Sequence, residues 1–230
     1  MNSGISYSIH FSNRSRRLTI KVSSTGEVIV TAPERFPKYR IVEFVESSRG
    51  WIEAQQASRS TKPILLSATK VYYFGKEYKV RVSSRFDGTV KIGKDTVVVS
   101  PLLSDPSADT SQQVARATVA LLSTWLKSRA IEYITKRVYE LSDQMNLSFH
   151  GLAFKQQKTR WGSCSSQKNL NFNWKLIHAP SDVIDYVIIH ELAHTKHMNH
   201  GKAFWDCVAS FDPDHTLHRR WLTTYGSTED

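Results

Sequence analysis

Through much of the first hundred residues apolar positions alternate with polar ones or run together in short stretches, and a period of two predicts strands. Arg17–Val22 (RLTIKV) and Glu27–Thr31 (EVIVT) read as the arms of a hairpin turned by Ser23, Ser24, Thr25 and Gly26 and closed by Ala32 and Pro33. The spacing then changes: Ile41, Phe44, Val45 and Ile52 predict a helix over Pro37–Ser60. Val71–Val82 and Thr89–Val99 read as two further strands, with Asp87-Gly88 between them as a hairpin turn.

A Ser-, Pro- and Asp-rich stretch, SPLLSDPSADTS, reads as a linker and places a domain boundary there. Beyond it Val114, Val119, Leu122, Leu126, Ile131, Tyr133, Ile134, Val138 and Leu141 form one apolar stripe and predict a long helix over Gln112–Met145. Short strands are expected at Phe149–Gln157, Arg160–Ser163 and Asn169–Leu176. A helix over Ser181–Lys196 follows, capped by Ser181, and two short helices, near Lys202–Phe211 and Asp214–Tyr225, close the chain. The expected class is α+β: a β-rich N-terminal domain over residues 1–104, then a domain over 105–230 with a long helix and a small mixed sheet.

Charge sharpens this division. The net charge is +10, yet residues 1–100 hold 17 Lys and Arg against 8 Asp and Glu, so nearly all the excess lies there. A basic N-terminal half suits a polyanionic partner, nucleic acid or a nucleotide. Histidine is distributed the other way, with seven of nine between His178 and His218. Two cysteines make no disulfide framework, and no apolar run approaches the roughly 18 residues of a membrane span. With no apolar leader in the first residues either, the expectation is a cytoplasmic protein.

Residues 190–194 read His-Glu-Leu-Ala-His. On a helix His190 and His194 lie one turn apart on the same face, where two imidazoles can bind one metal ion. Glu191 is rotated away from that face but within reach of a water that the metal would activate, the position of a general base. The surrounding Val183, Ile184, Val187, Ile188 and Ile189 predict a buried helix, in which polar groups need a ligand or a partner. A catalytic zinc ordinarily has three protein ligands, and His200 is the candidate third. On a continuous helix His200 would stand about 15 Å along the axis from His190, so the helix must stop after about His197 and the chain turn back, with Asn199 and Gly201 easing the turn. The spacing HExxHxxxxxH is that of the metzincins, although their turn glycine is replaced by His197.

The segments TRWGSCSSQKNLNFNWKLIHAP and DYVIIHELAHTKHMNHGKAFW resemble the YgjP-like metallopeptidase family, predicted metal-dependent hydrolases related to SprT-like and other zincin peptidases. The resemblance implies a zincin-like catalytic domain behind a β-rich region. It also implies Zn2+ bound by His190, His194 and His200, with Glu191 as general base. The expected activity is cleavage of a polypeptide by a metal-activated water. The alternatives are a metal-dependent nucleotide pyrophosphatase or phosphohydrolase, and a peptidase recruited to nucleic acid by the basic half.

In the family's Arg160-Trp161-Gly162-Ser163-Cys164 stretch, a strand beside the metal would hold an extended substrate, with Arg160 and Ser163 as candidate substrate-binding residues. The remaining chemistry-bearing residues have plainer readings. Cys164 and Cys207 read as buried inert thiols, and His197 as a surface or supporting histidine. His215, His218, Arg219 and Arg220 read as solvated. Phe204 and Trp205 read as packing that braces His200, and Trp51, Tyr72, Tyr73 and Phe74 as core.

Overall fold

A computed structural model of the chain describes residues 5–22, 27–60, 65–103, 110–155 and 160–225. The described residues form six helices and three small mixed sheets. By compactness the chain divides into two units, Met1–Pro63 and Ile64–Thr228.

In the first unit, strands β1 (Tyr7–Phe11), β2 (Thr19–Val22) and β3 (Val28–Ala32) form a sheet of order β1-β3-β2. The expected β2–β3 hairpin is present as an antiparallel pair, and its turn, residues 23–26, lies outside the described residues. β1 pairs parallel to β3, so Tyr7, Ile9 and Phe11 share a face with Val28, Val30 and Ala32. Val28, Val30 and Ala32 join Val22, Ile41, Val45 and Ile52 in a small core. The single helix expected over Pro37–Ser60 is two, α1 (Lys38–Ser47) and α2 (Arg49–Ser60). Ser48 leaves helical geometry at φ −95°, ψ 4°, and its carbonyl accepts from Ile52 N–H at 2.9 Å to start the second. Trp51 is exposed rather than part of this core.

The second unit opens with β4 (Lys70–Tyr73), β5 (Lys76–Val82), β6 (Thr89–Ile92) and β7 (Thr96–Ser100) in the order β4-β5-β7-β6. The apolar run Val71–Val82 is therefore two strands, turned at Phe74 and Gly75, both left-handed at φ 49° and 74°. Asp87-Gly88 does not join a pair of neighbours: β7 inserts between β5 and β6, parallel to the first and antiparallel to the second.

The long helix α3 (Ser111–Met145) starts with a capping box, in which Thr110 Oγ1 accepts from Gln113 N–H while Gln113 Oε1 accepts from Thr110 N–H. It ends at a left-handed Asn146. Its buried stripe runs Thr118, Leu122, Leu126, Ala130, Ile134, Val138 and Leu141, while Ile131 faces outward. β8 (Gly151–Lys155), β9 (Gly162–Cys164) and β10 (Asn169–Asn173) form the third sheet, β8-β10-β9, with β9 at its edge. A 3-10 segment, Trp174–His178, leads into α4 (Ser181–Ala193); α5 (Lys202–Phe211) and α6 (His215–Tyr225) follow.

The four-stranded sheet, grouped with the N-terminal domain by sequence, belongs to the same core as the metal-motif helix. Val71, Val97 and Val99 belong to one buried core with Leu122 and Leu126 of α3 and Ile184 and Ile188 of α4. Backbone bonds add to this: Phe74 N–H to Ile177 O at 2.9 Å and Gly75 N–H to His178 O at 3.0 Å. The buried His178 places its Nδ1 2.6 Å from Tyr72 O. The division by compactness thus falls between residues 63 and 64, not at the linker.

Candidate metal centre

α4 is apolar almost all round, with Val183, Ile184, Tyr186, Val187, Ile188, Ile189, Leu192 and Ala193 buried, which suits a helix enclosed by its own unit. Its first helical residue is Ser181; Pro180 takes the N-cap position and no side chain caps the helix. A forked ion pair ties it to α3, with Arg137 Nε 3.0 Å from Asp185 Oδ1 and Nη2 2.7 Å from Oδ2, and Arg137 also meets Glu140. These carboxylates hold the guanidinium above its ordinary pKa.

The helix stops at Ala193, earlier than expected. His194 caps it at φ −65°, ψ −19°, and the Thr195 and His197 amides bond to the Leu192 and Ala193 carbonyls at 2.9 Å each. Neither Asn199 nor Gly201 is left-handed, and a Cβ on Gly201 would meet nothing, so the reversal rests on those bonds rather than on permissive residues.

The reversal brings His200 back onto the helix. The ring centroids of His190 and His194 lie 5.0 Å apart, those of His190 and His200 5.0 Å, and those of His194 and His200 4.7 Å. One nitrogen from each ring falls within 4.8 Å of the others, a group that could hold a metal ion. His190 Nε2 and His200 Nε2 are 3.1 Å apart. Two ligands about 2.05 Å from a tetrahedral ion are separated by about 3.3 Å, so this spacing fits a shared cation. His194 Nδ1 lies 3.1 Å from His197 O, an acceptor that puts the proton on Nδ1 and leaves the Nε2 lone pair free. His197 thus contributes its carbonyl to the site.

Burial, then the neighbouring His194 and His200, push the His190 pKa down to about 3, so its ring stays neutral and able to ligate at any ordinary pH. Burial likewise lowers His194. His190 Nδ1 is buried with no hydrogen-bond partner among the described residues. Such an unmade bond costs about 1–3 kcal/mol, which is consistent with a ring placed for its other nitrogen. Phe204, fully buried, and Trp205 pack against these rings at 4.5–5.9 Å, bracing them as expected.

Glu191 is 6% exposed. Burial raises its pKa to about 8, against the opposing charge of Arg160 and a hydrogen bond from Cys164 N–H. That bond follows from the register of β9. Asn173 N–H bonds Trp161 O and Ser165 N–H bonds Asn169 O, so Ser163 faces β10 while the backbone groups of Gly162 and Cys164 turn outward. Gly162 lies flat against the carboxyl: a Cβ there would fall 2.7 Å from both Glu191 Cγ and Oε1.

Arg160, expected near the site, does bring its charge to Glu191. The parts played by the bare Cα of Gly162 and the amide of Cys164 are not legible in the sequence, since neither is a side-chain property. Cys164 and Cys207 are only partly buried; the Cys164 thiol is raised in pKa by desolvation and then by Glu191. His215 and His218, expected to be solvated, are half-buried and partnered. His215 stacks on Trp205, and His218 sits 2.8 Å from Asp212 Oδ2 and 3.4 Å from Asp182 Oδ2. The helical spacing from Asp214 onward was the available signal, since it sets His215, His218 and Arg219 along one side of α6.

Three convergent imidazoles beside a buried carboxyl define a site of the class that holds a divalent metal. Residues 16–225 match the YgjP-like metallopeptidase domain, and the chain belongs to that family, which implies a divalent metal. Two solved structures are similar over 39% of this chain. The metallopeptidase zymogen of Pyrococcus abyssi abylysin is 18% identical, covered over 92% of its length, with a TM-score of 0.36. That of Methanocaldococcus jannaschii jannalysin is 23% identical, covered over 95%, with a TM-score of 0.34. No curated protein matches the chain. No described helix is long and apolar enough to cross a membrane.

Proposed function

We propose that the protein is a zinc-dependent peptidase in which His190, His194 and His200 hold the metal and Glu191 is the general base. The observation that carries this reading is the convergence of one nitrogen from each of the three rings to within 4.8 Å, next to a carboxyl seated on strand β9. An all-imidazole donor set suits zinc, which when bound acidifies a water and polarises a carbonyl.

The chain's own residues supply the rest. The His197 carbonyl orients His194, and burial keeps His190 uncharged. Glu191 takes the proton from the attacking water and passes it to the leaving amine. The amide of Cys164 steadies its carboxylate and Arg160 favours its charged form. A divalent cation held by His190, His194 and His200 would favour that form further and keep Glu191 ionised. β9 is the edge of its sheet, and the outward backbone groups not taken by Glu191 would pair with an extended peptide, with Arg160 and Ser163 alongside.

The test is metal content and peptide hydrolysis in the wild type, His194→Ala and Glu191→Gln. One zinc per chain and hydrolysis are expected in the wild type, loss of both in His194→Ala, and retained zinc with only a small residual rate of hydrolysis in Glu191→Gln. A wild type that takes up no zinc when it is supplied overturns the reading.

A further inference from the structure

Helix α6 carries a cation to the rim of the three-histidine site. His215 and Arg219 are four residues apart and so share a face of the helix, and both lie on the indole of Trp205. The His215 ring stacks on it with centroids 5.7 Å apart and planes at 25°. The Arg219 guanidinium stands over it, 5.5 Å from the centroid. The same indole is 5.7 Å from His200 and 5.9 Å from His190. Arg219 is therefore one ring removed from two of the three histidines, and its charge is felt at both His190 and Tyr186.

Its position is fixed by its neighbour. His218 is held between the 8%-exposed Asp212, at 2.8 Å, and Asp182 in the first turn of α4, at 3.4 Å. This pins α6 against the helix that bears His190 and Glu191. The Arg219 side chain itself is exposed, and among the described residues it makes no ion pair with a carboxylate. A guanidinium braced on an aromatic face, at the rim of the three-histidine site and without an internal counter-ion, is a fork presented to an anion from outside.

We propose that Arg219, braced on Trp205, is a specificity subsite for a carboxylate of the peptide substrate, so that the enzyme selects peptides with a negative group close to the bond it cleaves. The proposal rests on the peptidase reading above and adds the substrate class.

The test is binding without turnover. Zinc-loaded Glu191→Gln protein is titrated calorimetrically with pairs of N-acetylated pentapeptides that differ in one charge. One pair has Glu or Gln beside the central bond, and the other has a carboxylate or a carboxamide at the C-terminus. At least a tenfold preference for a charged member is expected. Adding Arg219→Gln abolishes the preference, adding Arg219→Lys keeps part of it, and zinc content is the same in all three. Equal affinity for charged and neutral peptides, a preference that survives Arg219→Gln, or no binding of either overturns the proposal. So does inorganic phosphate binding more tightly than the peptides in an Arg219-dependent way, which would assign the fork to phosphate. A wild type that cleaves none of these peptides while the charge preference holds sinks the peptidase reading alone. Cleavage with no preference sinks the subsite alone.

Discussion

Replacing Gly162 by alanine isolates the link between strand β9 and the carboxyl of Glu191, the proposed general base. The backbone there is not left-handed, so alanine adds no conformational strain and acts only through its methyl group. That carbon would fall 2.7 Å from Glu191 Cγ and Oε1 and 3.0 Å from Cδ, whereas carbon contacts are relaxed at about 3.5–4.0 Å. Something must give by about 0.8 Å or more, and the Glu191 side chain is the flexible partner. Moving it breaks the bond from Cys164 N–H and swings the carboxyl off its station. A displacement of about 1 Å in a reacting group can cost about a hundredfold in rate, and a general base is worth about 10²–10⁴. We expect kcat to fall about a hundredfold at unchanged zinc stoichiometry, with a stability loss of no more than about 1–2 kcal/mol, because a side chain rather than backbone yields. The assay is steady-state peptide hydrolysis beside metal analysis and urea denaturation. In a Glu191→Gln background the same substitution should lower the residual rate hardly at all, since both changes act through one group. If Gly162→Ala keeps kcat within twofold of the wild type, or loses its metal, the strand does not seat the base.

Three further outcomes follow from the same geometry. In metal-free protein, the stability that His190 confers is fully present above its ordinary pKa of 6.5 and is lost as pH falls toward about 3, because only the unfolded chain is protonated there. Glu191 acts oppositely: its contribution is complete below 4.5 and is lost as pH rises through about 8, because the fold retains the proton longer. Thermal melts in chelator should therefore peak between about pH 4.5 and 6.5, and above pH 8 metal-free Glu191→Gln should melt higher than the wild type. Chelation should lower the melting temperature at neutral pH and zinc restore it, an increment that grows with free zinc and is absent in His194→Ala. Gly75→Ala combines a left-handed φ of 74° with a Cβ 2.6 Å from Pro180 Cγ, and should cost about 2–4 kcal/mol in urea unfolding.

How legible each element was depended on whether its cause was local. The α3 stripe and the enclosed α4 were readable because a long helix repeats its burial every turn, so that Leu122, Leu126, Ile134 and Val138 fall into register on spacing alone. The pair His190 and His194 was readable for the same reason. The break at Ser48 was not, since the apolar spacing runs on through it into Ile52. The turn at Phe74-Gly75 hid inside an apolar run because Phe is an uncommon left-handed residue. Asp87-Gly88 looks like a hairpin turn, yet pairing is decided by which strand fills the gap, and β7 does. The return of His200 could be required by metal geometry, but not the means, which is the early end of α4 at Ala193. Arg219 looked like one surface charge among others until Trp205 tied it to the histidines.

The contacts of Tyr72, Phe74 and Gly75 with the Ile177–His178 segment bear on how the protein can be cut. The obvious place to trim is the Ser- and Pro-rich stretch near residue 104, yet a fragment starting there would strip Val71, Val97 and Val99 from the core they share with α3 and α4 and remove Tyr72 O from His178 Nδ1. A fragment beginning near residue 65 keeps that core whole. In hydrogen exchange the amides of Phe74 and Gly75 should accordingly be as slow as those inside α4, marking a sheet far upstream in the chain as part of the smallest piece able to carry the histidines.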